Sequence, residues 1–213
     1  MTYDLSTADA IVVSARDLFA QHGYDGTSVR AVTEAADVNL GAVTYHFGSK
    51  AALYAAVVAS VAGPLYERVL ATAAHPAPPP ERLAAIVAAY FEHFADHPDM
   101  PKLILQQMFT DHPLPVPLRE AMAGILAAIA EVITEGQAAG SFRAGHPVLL
   151  ALSTLAQPIY FNIIRRPLAM AGLFDLGETA DQNQVTDHVA RFVLAGLAAG
   201  RATDHPPLGV SAR

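Results

Sequence analysis

The sequence predicts an all-α protein in which a small helical head precedes a larger helical domain. Alanine and leucine dominate the 213 residues, and long runs of alternating β-branched and polar residues are absent. Five His-Pro dipeptides divide the later part of the chain, because the residue before a proline avoids the α conformation and proline suits a helix's first turn. The later helices are predicted over 49–74, 81–96, 98–111, 115–140, 147–166 and 183–200.

Three short helices are predicted in the head. Thr7 is the expected N-cap of the first helix, and Gly23 is expected to take a left-handed conformation at its end. The second helix is predicted to begin behind a cap at Thr27 or Ser28. Asn39, a strong N-cap residue, is predicted to start the third helix. Three such helices joined by tight turns are typical of a helix-turn-helix unit.

The composition excludes several classes of protein. A chain without cysteine has no disulfide, no thiolate metal site and no thiol nucleophile. The acidic N-terminus lacks the basic start of a secretory signal peptide, which predicts a cytoplasmic protein. Two charge-free stretches, 51–66 and 144–164, are too short or too rich in polar side chains for a membrane span.

Two runs in the head carry the main functional signal: FAQHGYDGTSVR at 19–30 and VNLGAVTYHFGSK at 38–50. Both resemble the N-terminal signature of the tetracycline-repressor (TetR) family, and the resemblance covers about 11–58. It implies a helix-turn-helix DNA-binding head over 1–62 and a helical effector-binding and dimerisation domain over 63–213. The implied function is that of a transcriptional regulator, a repressor that a small-molecule effector releases from operator DNA.

The third helix of the head has dimensions that suit DNA. A helix of seven or eight residues is ~11 Å long, and the major groove of B-DNA is ~12 Å wide. Val43 and Phe47 share the inner face of this helix, whereas Ala42 and Tyr45 are expected to point outward. The residues predicted to contact DNA, several of them from the resemblance, are Thr27, Ser28, Arg30, Asn39, Leu40, Gly41, Ala42, Thr44, Tyr45, His46 and Lys50.

The charge of the head limits how it can bind DNA. The whole chain has a formal charge of −7. Residues 1–62 hold three basic side chains, Arg16, Arg30 and Lys50, against six acidic ones, a net charge of −3. Non-specific affinity grows with the number of phosphates neutralised, so it is predicted to be low. Specific binding then depends on a few well-placed groups and on two heads that act together.

The larger domain is predicted to bind a second copy and an effector. Apolar and small residues form a stripe along the last helix: Val185, Val189, Phe192, Val193, Gly196, Leu197 and Gly200. The TetR resemblance implies a homodimer formed by the last two long helices. Pockets in helical domains are mostly apolar with a few polar groups. The residues chosen on that basis are Tyr66, Tyr90, Phe94, Gln107, Gln157, Tyr160, Phe161 and Asn162, and they predict an apolar or neutral effector.

A metal site and enzymatic activity are two further possibilities. His93 and His97 are four residues apart and could form half of a metal site, but no third ligand converges with them, so no metal or cofactor is predicted. The sequence contains no nucleophile elbow, phosphate-binding glycine loop or paired metal motif, so it does not predict an enzyme. The alternatives are a helical interaction protein that uses its head for protein contacts and, less favoured, a small all-α enzyme.

Overall fold

The computed structural model describes residues 6–108, 112–173 and 182–200, and this part of the chain contains nine helices and no strand. They are α1 (Thr7–Gly26), α2 (Val29–Ala35), α3 (Gly41–Phe47), α4 (Lys50–Ala73), α5 (Pro79–Asp96), α6 (Met100–Met108), α7 (Val116–Ala138), α8 (Pro147–Met170) and α9 (Gln182–Leu197). The predicted all-α fold is confirmed. The last residues of the predicted helix over 98–111 lie outside the described part of the chain.

Helix α1 begins and bends where its local sequence allows. Ser6, and not the predicted Thr7, caps the helix, since the Ser6 hydroxyl oxygen accepts a hydrogen bond from the Asp9 N–H at 3.2 Å. Gly23 has the predicted positive φ, +73°, but its ψ of 178° is not that of the left-handed helix, and it kinks α1 three residues before the helix ends at Gly26. That bend directs the end of α1 toward the turn that starts α2.

The prediction that the Asn39 side chain caps α3 is wrong. The cap position belongs to Leu40, in a helical conformation, and no side chain accepts a hydrogen bond there. The Ala42 N–H instead donates to the backbone carbonyl of Asn39 at 3.0 Å, which removes the donor that the amide would have bound. Ser28 and Ser49 do cap α2 and α4 through their hydroxyl oxygens.

Helix α4 joins the head to the body of the molecule. We use "head" for α1–α3 with the first turns of α4, and "body" for the rest. Leu53 and Val57 of α4 are buried on the side of α1, and Leu65 and Val69 are buried among α5 and α7. Residue 62, where the head was predicted to end, lies within this continuous helix. A single helix therefore extends one hydrophobic core from the head into the body.

A buried arginine fixes the far end of α4. Arg82 of α5 is 8% exposed, and its Nη1 donates to the Ala73 carbonyl oxygen at 2.7 Å. Its Nη2 forms an ion pair with Glu135 of α7. Arg82 thus satisfies the C-terminus of α4 and links it to two other helices.

Two helix ends differ from the sequence prediction. Helix α8 continues past Pro167 to Met170, because the Ala171 N–H donates to the Pro167 carbonyl oxygen and closes one more turn. Helix α9 ends at Leu197 instead of residue 200, because the Arg143 N–H donates a hydrogen bond to the Leu197 carbonyl oxygen at 2.8 Å. The chain then continues as a single bridge beside the connection between α7 and α8.

Helices α4 and α8 are long and apolar enough to cross a membrane by length and composition alone. Much of α4 is buried inside the protein, as in the core helix of a globular fold. Helix α8 carries Gln157, Asn162, Arg165 and Arg166, which are costly in hydrocarbon. The burial of α4 agrees with a helix covered by protein, whereas only 22% of the apolar window of α8 is buried within the protomer, so the cover predicted for α8 stays a prediction.

Candidate nucleic-acid interface

Helix α3 presents an exposed face at one end of the molecule. Val43 is 1% exposed and packs into the head core, with Phe47 partly buried beside it, as predicted. The exposed residues are Leu40, Gly41, Thr44, Tyr45 and His46. Tyr45 is 85% exposed and Leu40 60%, values far above those usual for large apolar side chains. The side of the helix opposite the core is therefore available for a partner.

Two residues predicted to contact DNA are not on this surface. Ala42 is 8% exposed and belongs to the head core, so the expectation that its methyl group points outward is wrong. Thr27 is 2% exposed, and its hydroxyl donates to the Gly23 carbonyl at 2.8 Å. That hydrogen bond holds the turn between α1 and α2, which gives Thr27 a structural role.

Arg30 stands on the exposed side of α2. Its Nε donates to Glu34 Oε1 at 2.7 Å, one helical turn along, and the two side chains are 80% and 64% exposed. The Glu34 carboxylate raises the pKa of Arg30 through a hydrogen bond and through its charge. An exposed pair of this kind contributes little stability. Its effect is to orient the guanidinium and offset its charge.

Lys50 begins α4 directly behind the turn that follows α3. Gly48 makes this turn possible, since its φ of +77° lies in the region that favours glycine. The Ser49 hydroxyl oxygen accepts from the Ala52 N–H at 3.1 Å, and the Lys50 ammonium lies 4.4 Å from the centre of the Tyr24 ring. A cation and the N-terminus of a long helix thus lie beside α3, which suits a phosphate.

Arg16 is the third basic residue of the head, and its charge is directed away from α3. Its guanidinium forms a bidentate ion pair with Asp99, which lies just before α6. Its Nη2 also lies 3.1 Å from His97 Nδ1. Burial opposes ionisation of Asp99, but the hydrogen bond and charge of Arg16 outweigh it and lower the pKa of Asp99. This contact was not predicted from the sequence, because its partners are 83 residues apart and no local pattern marks them.

The residues predicted to bind an effector do not form one cluster. Tyr90 and Phe94 are buried on α5 with ring centres 5.9 Å apart, and burial raises the pKa of Tyr90. Tyr66 of α4 packs over Gly124 of α7. These three rings lie inside the body. Tyr160 of α8 instead is 59% exposed.

The polar members of the predicted set also separate. Gln157 lines a cavity of about 150 Å³ between α8 and α9, whereas Gln107 lines a cavity between α1 and α6. Gln107 Nε2 donates to the His112 carbonyl at 3.1 Å, and Asn162 Nδ2 donates to the Pro158 carbonyl at 2.8 Å. Phe161 is partly buried, with its ring centre 6.5 Å from that of His188. The effector-binding roles of all eight residues stay predictions.

His93 and His97 lie close together but face protein groups. Their ring centres are 4.5 Å apart, and His93 Nε2 is 3.1 Å from the Met100 sulfur. Burial, followed by the neighbouring His97, lowers the pKa of His93 to about 4. Within 6–108, 112–173 and 182–200, no group of three or more His, Cys, Asp or Glu side chains could hold a metal ion.

A second exposed surface lies on α8 and α9. Leu149 and Leu152 of α8 and Phe192 of α9 are each about half exposed or more. Val189, Val193 and Leu197, which the sequence assigned to the interface stripe on α9, are buried within the protomer. They face α5 and α8, because α9 packs against both helices. The exposed apolar face is therefore mainly that of α8, with Phe192 beside it.

Family models match most of the described chain. The model described as "Bacterial regulatory proteins, tetR family" matches residues 11–57, which include most of α1 and all of α2 and α3. The model described as "Tetracyclin repressor-like, C-terminal domain" matches residues 79–194, more than half of the chain. The two matches cover the exposed α3 face and the body behind it.

Two curated relatives align with part of the chain. The "Probable HTH-type transcriptional regulator YttP" of Bacillus subtilis is 31% identical over 125 residues, 57% of this chain and 58% of that protein. The "HTH-type transcriptional repressor AcnR" of Corynebacterium efficiens is 37% identical over 65 residues, 30% of this chain and 35% of that protein. The chain thus spans less than two thirds of the length of either relative.

Solved structures share the fold over nearly the whole chain. FadR of Bacillus subtilis, solved with stearoyl-CoA, has a TM-score of 0.71 at 18% identity and covers 88% of this chain and 98% of its own. AibR, solved with isovaleryl coenzyme A and operator DNA, has a TM-score of 0.70 at 19% identity, with 88% and 97% covered. At these identities the likeness shows the fold. Together with the family models, it shows that the chain belongs to the tetR family of bacterial regulatory proteins.

Proposed function

We propose that this regulatory protein is a repressor that binds operator DNA as a homodimer and leaves it when a small-molecule effector binds. The observation that carries the proposal is the exposed face of α3, with Tyr45 85% exposed and Arg30 and Lys50 on neighbouring helices. The relatives named above are regulators, and the proposed mechanism needs no catalytic step. Operator binding would place the protein in the cytoplasm.

In this proposal α3 enters the major groove by its exposed end. Leu40 would meet base edges, where an apolar side chain can contact a thymine methyl group, and Tyr45 would donate to a phosphate oxygen beside the groove. Arg30 and Lys50 would meet phosphates or a guanine beside the groove. The residues proposed to contact DNA are Ser28, Arg30, Asn39, Leu40, Gly41, Thr44, Tyr45, His46 and Lys50; the burial of Thr27 and Ala42 removes both from the predicted set.

The homodimer is proposed to form through α8 with a contribution from α9. Leu149 is 62% exposed and Phe192 59%, and with Leu152 they form an exposed apolar surface, which is unfavourable in water. Pairing two copies by a two-fold axis would bury this surface in both and would space two heads along one face of the DNA. We propose the head as residues 1–62 and the effector-binding and dimerisation domain as 63–213.

The effector is proposed to be apolar over most of its length and to bind in the body. The buried rings of Tyr90 and Phe94 and the Tyr66 ring on α4 supply apolar contact area, and the hydroxyls of the two tyrosines supply polar contacts. Two structural neighbours were solved with acyl-coenzyme A ligands, so acyl-coenzyme A thioesters are the first effectors to test. Their acyl chains fit the predicted apolar class, although the coenzyme itself is charged.

Operator binding is tested with DNA selected from a random pool by the purified protein. We expect sequence-dependent retention by the wild type, and a loss of at least 30-fold in affinity for the double variant Tyr45→Ala/Lys50→Ala, since each contact contributes about 1–3 kcal/mol. The double variant should keep its dimer by sedimentation. Arg119→Ala, an exposed change on α7, is the matched control and should bind as the wild type does. Absence of sequence-dependent retention at any salt, with bound ligands removed, would overturn the proposal.

A further inference from the structure

A cleft of about 590 Å³ lies between the end of α1 in the head and α6 in the body. We call it the head–body cleft; its walls include Tyr24, Asp25, Tyr54, Lys102, Leu105 and Gln106. Its volume lies within the ~300–1,000 Å³ typical of small-molecule sites. It is separate from the buried rings to which the effector is assigned above.

The wall on the head side is aromatic and held in place. The centre of the Tyr24 ring lies 5.1 Å from that of Tyr54 and 6.1 Å from that of Phe19, and the Lys50 ammonium lies 4.4 Å from it. Burial raises the pKa of Tyr54, so its hydroxyl keeps its proton and can donate. Together with Leu105, which also lines the cleft, these rings offer a preformed apolar surface for a flat ring.

The cleft wall carries one ammonium, Lys102, and one carboxylate, Asp25. The chain contains two lysines, Lys50 and Lys102. Lys102 is exposed on the cleft wall and forms no ion pair within the part of the chain that the structure describes. Asp25, the acid on the same wall, already lies 3.1 Å from His112 Nε2. A carboxylate would thus meet an available ammonium, whereas a cationic ligand would compete with His112 for Asp25.

We propose that the head–body cleft binds a planar aromatic carboxylate, with its ring against Tyr24, Tyr54 and Leu105 and its carboxylate on Lys102. The apolar walls supply contact area, and the ammonium supplies direction and selects the charge of the ligand. A neutral analogue of the same shape keeps the apolar contact with the walls and loses the ion pair with Lys102.

Such a ligand would touch both parts of the molecule. Tyr24 belongs to α1 and Lys102 to α6, and Gln106 Nε2 already reaches the Ala20 carbonyl at 3.5 Å across the same junction. A bound acid would therefore favour the arrangement of head and body described here. Any consequence for operator affinity rests on the proposed function, whereas binding itself does not.

The two lysines make the test direct. In full-length protein labelled with [ε-13C]lysine, two side-chain signals are expected, and Lys102→Arg assigns them. Addition of sodium 2-naphthoate should shift the Lys102 signal in a saturable way and by more than the Lys50 signal. A shift that grows linearly to the highest concentration, or one equal at both lysines, would overturn the proposal.

Calorimetry with the same probe tests the role of charge. Lys102→Glu, an exposed substitution that reverses the charge, should weaken 2-naphthoate binding several-fold, and Lys102→Gln should weaken it by about two- to fivefold if the glutamate variant folds poorly. Arg119→Glu is the matched control and should bind as the wild type does. 2-Naphthalenemethanol, the neutral analogue, should bind about two- to fivefold more weakly than the acid. Unchanged affinity in both Lys102 variants would refute the site, and because no DNA is present, such a result leaves operator binding untouched.

Discussion

Glu34 lies one helical turn from Arg30 and binds its guanidinium. A partner that approaches α2 from outside would therefore compete with Glu34 for Arg30. The Nε–Oε1 distance is 2.7 Å, and both side chains stand in solvent. On a surface proposed to meet phosphates, this carboxylate repels the partner and draws the guanidinium toward itself. Its removal is therefore expected to favour DNA.

We expect Glu34→Gln to tighten operator binding several-fold, because it removes one negative charge from each head and releases Arg30. The free energy of unfolding should change by no more than about 0.5 kcal/mol, as is usual for an exposed i,i+4 pair. Fluorescence anisotropy with labelled operator measures the affinity. Glu67→Gln, an exposed change farther along α4, is the control, and equal tightening in both variants would mean that only net charge matters.

His93 makes stability depend on pH. It is 1% exposed, and burial, followed by the neighbouring His97, lowers its pKa to about 4 from the ordinary 6.5. Above pH 6.5 the side chain is neutral in both the folded and unfolded chain and contributes no dependence. Between pH 6.5 and 4 the unfolded chain binds a proton that the folded chain excludes, so stability falls as the pH falls.

We therefore expect urea unfolding to show a loss of stability below pH 6.5, to which His93 contributes at most about 1.4 kcal/mol per pH unit. His93→Gln should flatten this slope, whatever it does to stability at pH 7. His146→Gln, which replaces an exposed histidine before α8, is the control. The interpretation fails if both variants keep the full slope.

Single residues show where sequence reasoning succeeds and where it does not. The exposure of Tyr45 and the burial of Val43 follow from helical periodicity, and the structure agrees with both. Ala42 lies at the edge of the inner face, where a small side chain fits the core equally well, so periodicity could not place it. The Arg16–Asp99 contact depends on how two distant segments pack, and no spacing in the sequence encodes that.

At the scale of elements, close packing around glycines fixes how the helices of the body meet. A Cβ built on Gly136 of α7 would overlap the ring of Phe142, and one built on Gly124 would overlap the ring of Tyr66. A Cβ on Gly196 of α9 would meet no atom within 4 Å. Phe142 belongs to the bridge that ties the end of α9 to the turn after α7.

Gly136→Ala should destabilise the protein by about 1–3 kcal/mol, the usual cost of forcing an extra methyl group into a packed site. Gly196→Ala should be neutral or stabilising by up to about 0.5–1 kcal/mol, because alanine suits a helix better than glycine. Thermal and urea unfolding of the two variants provide the measurement. Similar values for both would mean that Phe142 moves aside without cost.

The ends of elements were predicted less well than their existence. Every described helix was expected, but α8 passes Pro167 and α9 ends before residue 200. The first difference arises because a proline near a helix end disrupts few hydrogen bonds. The second arises from Arg143, whose N–H competes for the last carbonyl of α9. A contact from another segment decided that boundary, and the local sequence does not contain it.

At the scale of the whole molecule, the acidic charge sets how DNA affinity should respond to salt. Arg16 is held by Asp99, so Arg30 and Lys50 are the basic groups that each head can offer to phosphates. A dimer then has four, and log K should fall with log salt with a slope of roughly −3 to −4.

Filter binding of the selected operator across a range of salt concentrations measures this slope. Lys50→Ala should make it shallower by roughly 2 in the dimer, since two phosphate contacts are lost. Arg119→Ala, on the body, should leave it unchanged. A much steeper wild-type slope would show that other basic residues of the body reach the DNA. The charge of −7 alone gave no such estimate, because it does not say which cations are already paired.

The continuity of helix α4 also limits how a chimaera can be built from the head of one such protein and the body of another. The buried residues of α4 extend one hydrophobic core from the head into the body, without a break. Such a chimaera must therefore splice this helix in register. One inserted residue would rotate the head part of this core against the body part by about 100° and displace it by about 1.5 Å. A new operator specificity is thus acquired more easily by substitutions on α3 than by transplanting a whole head.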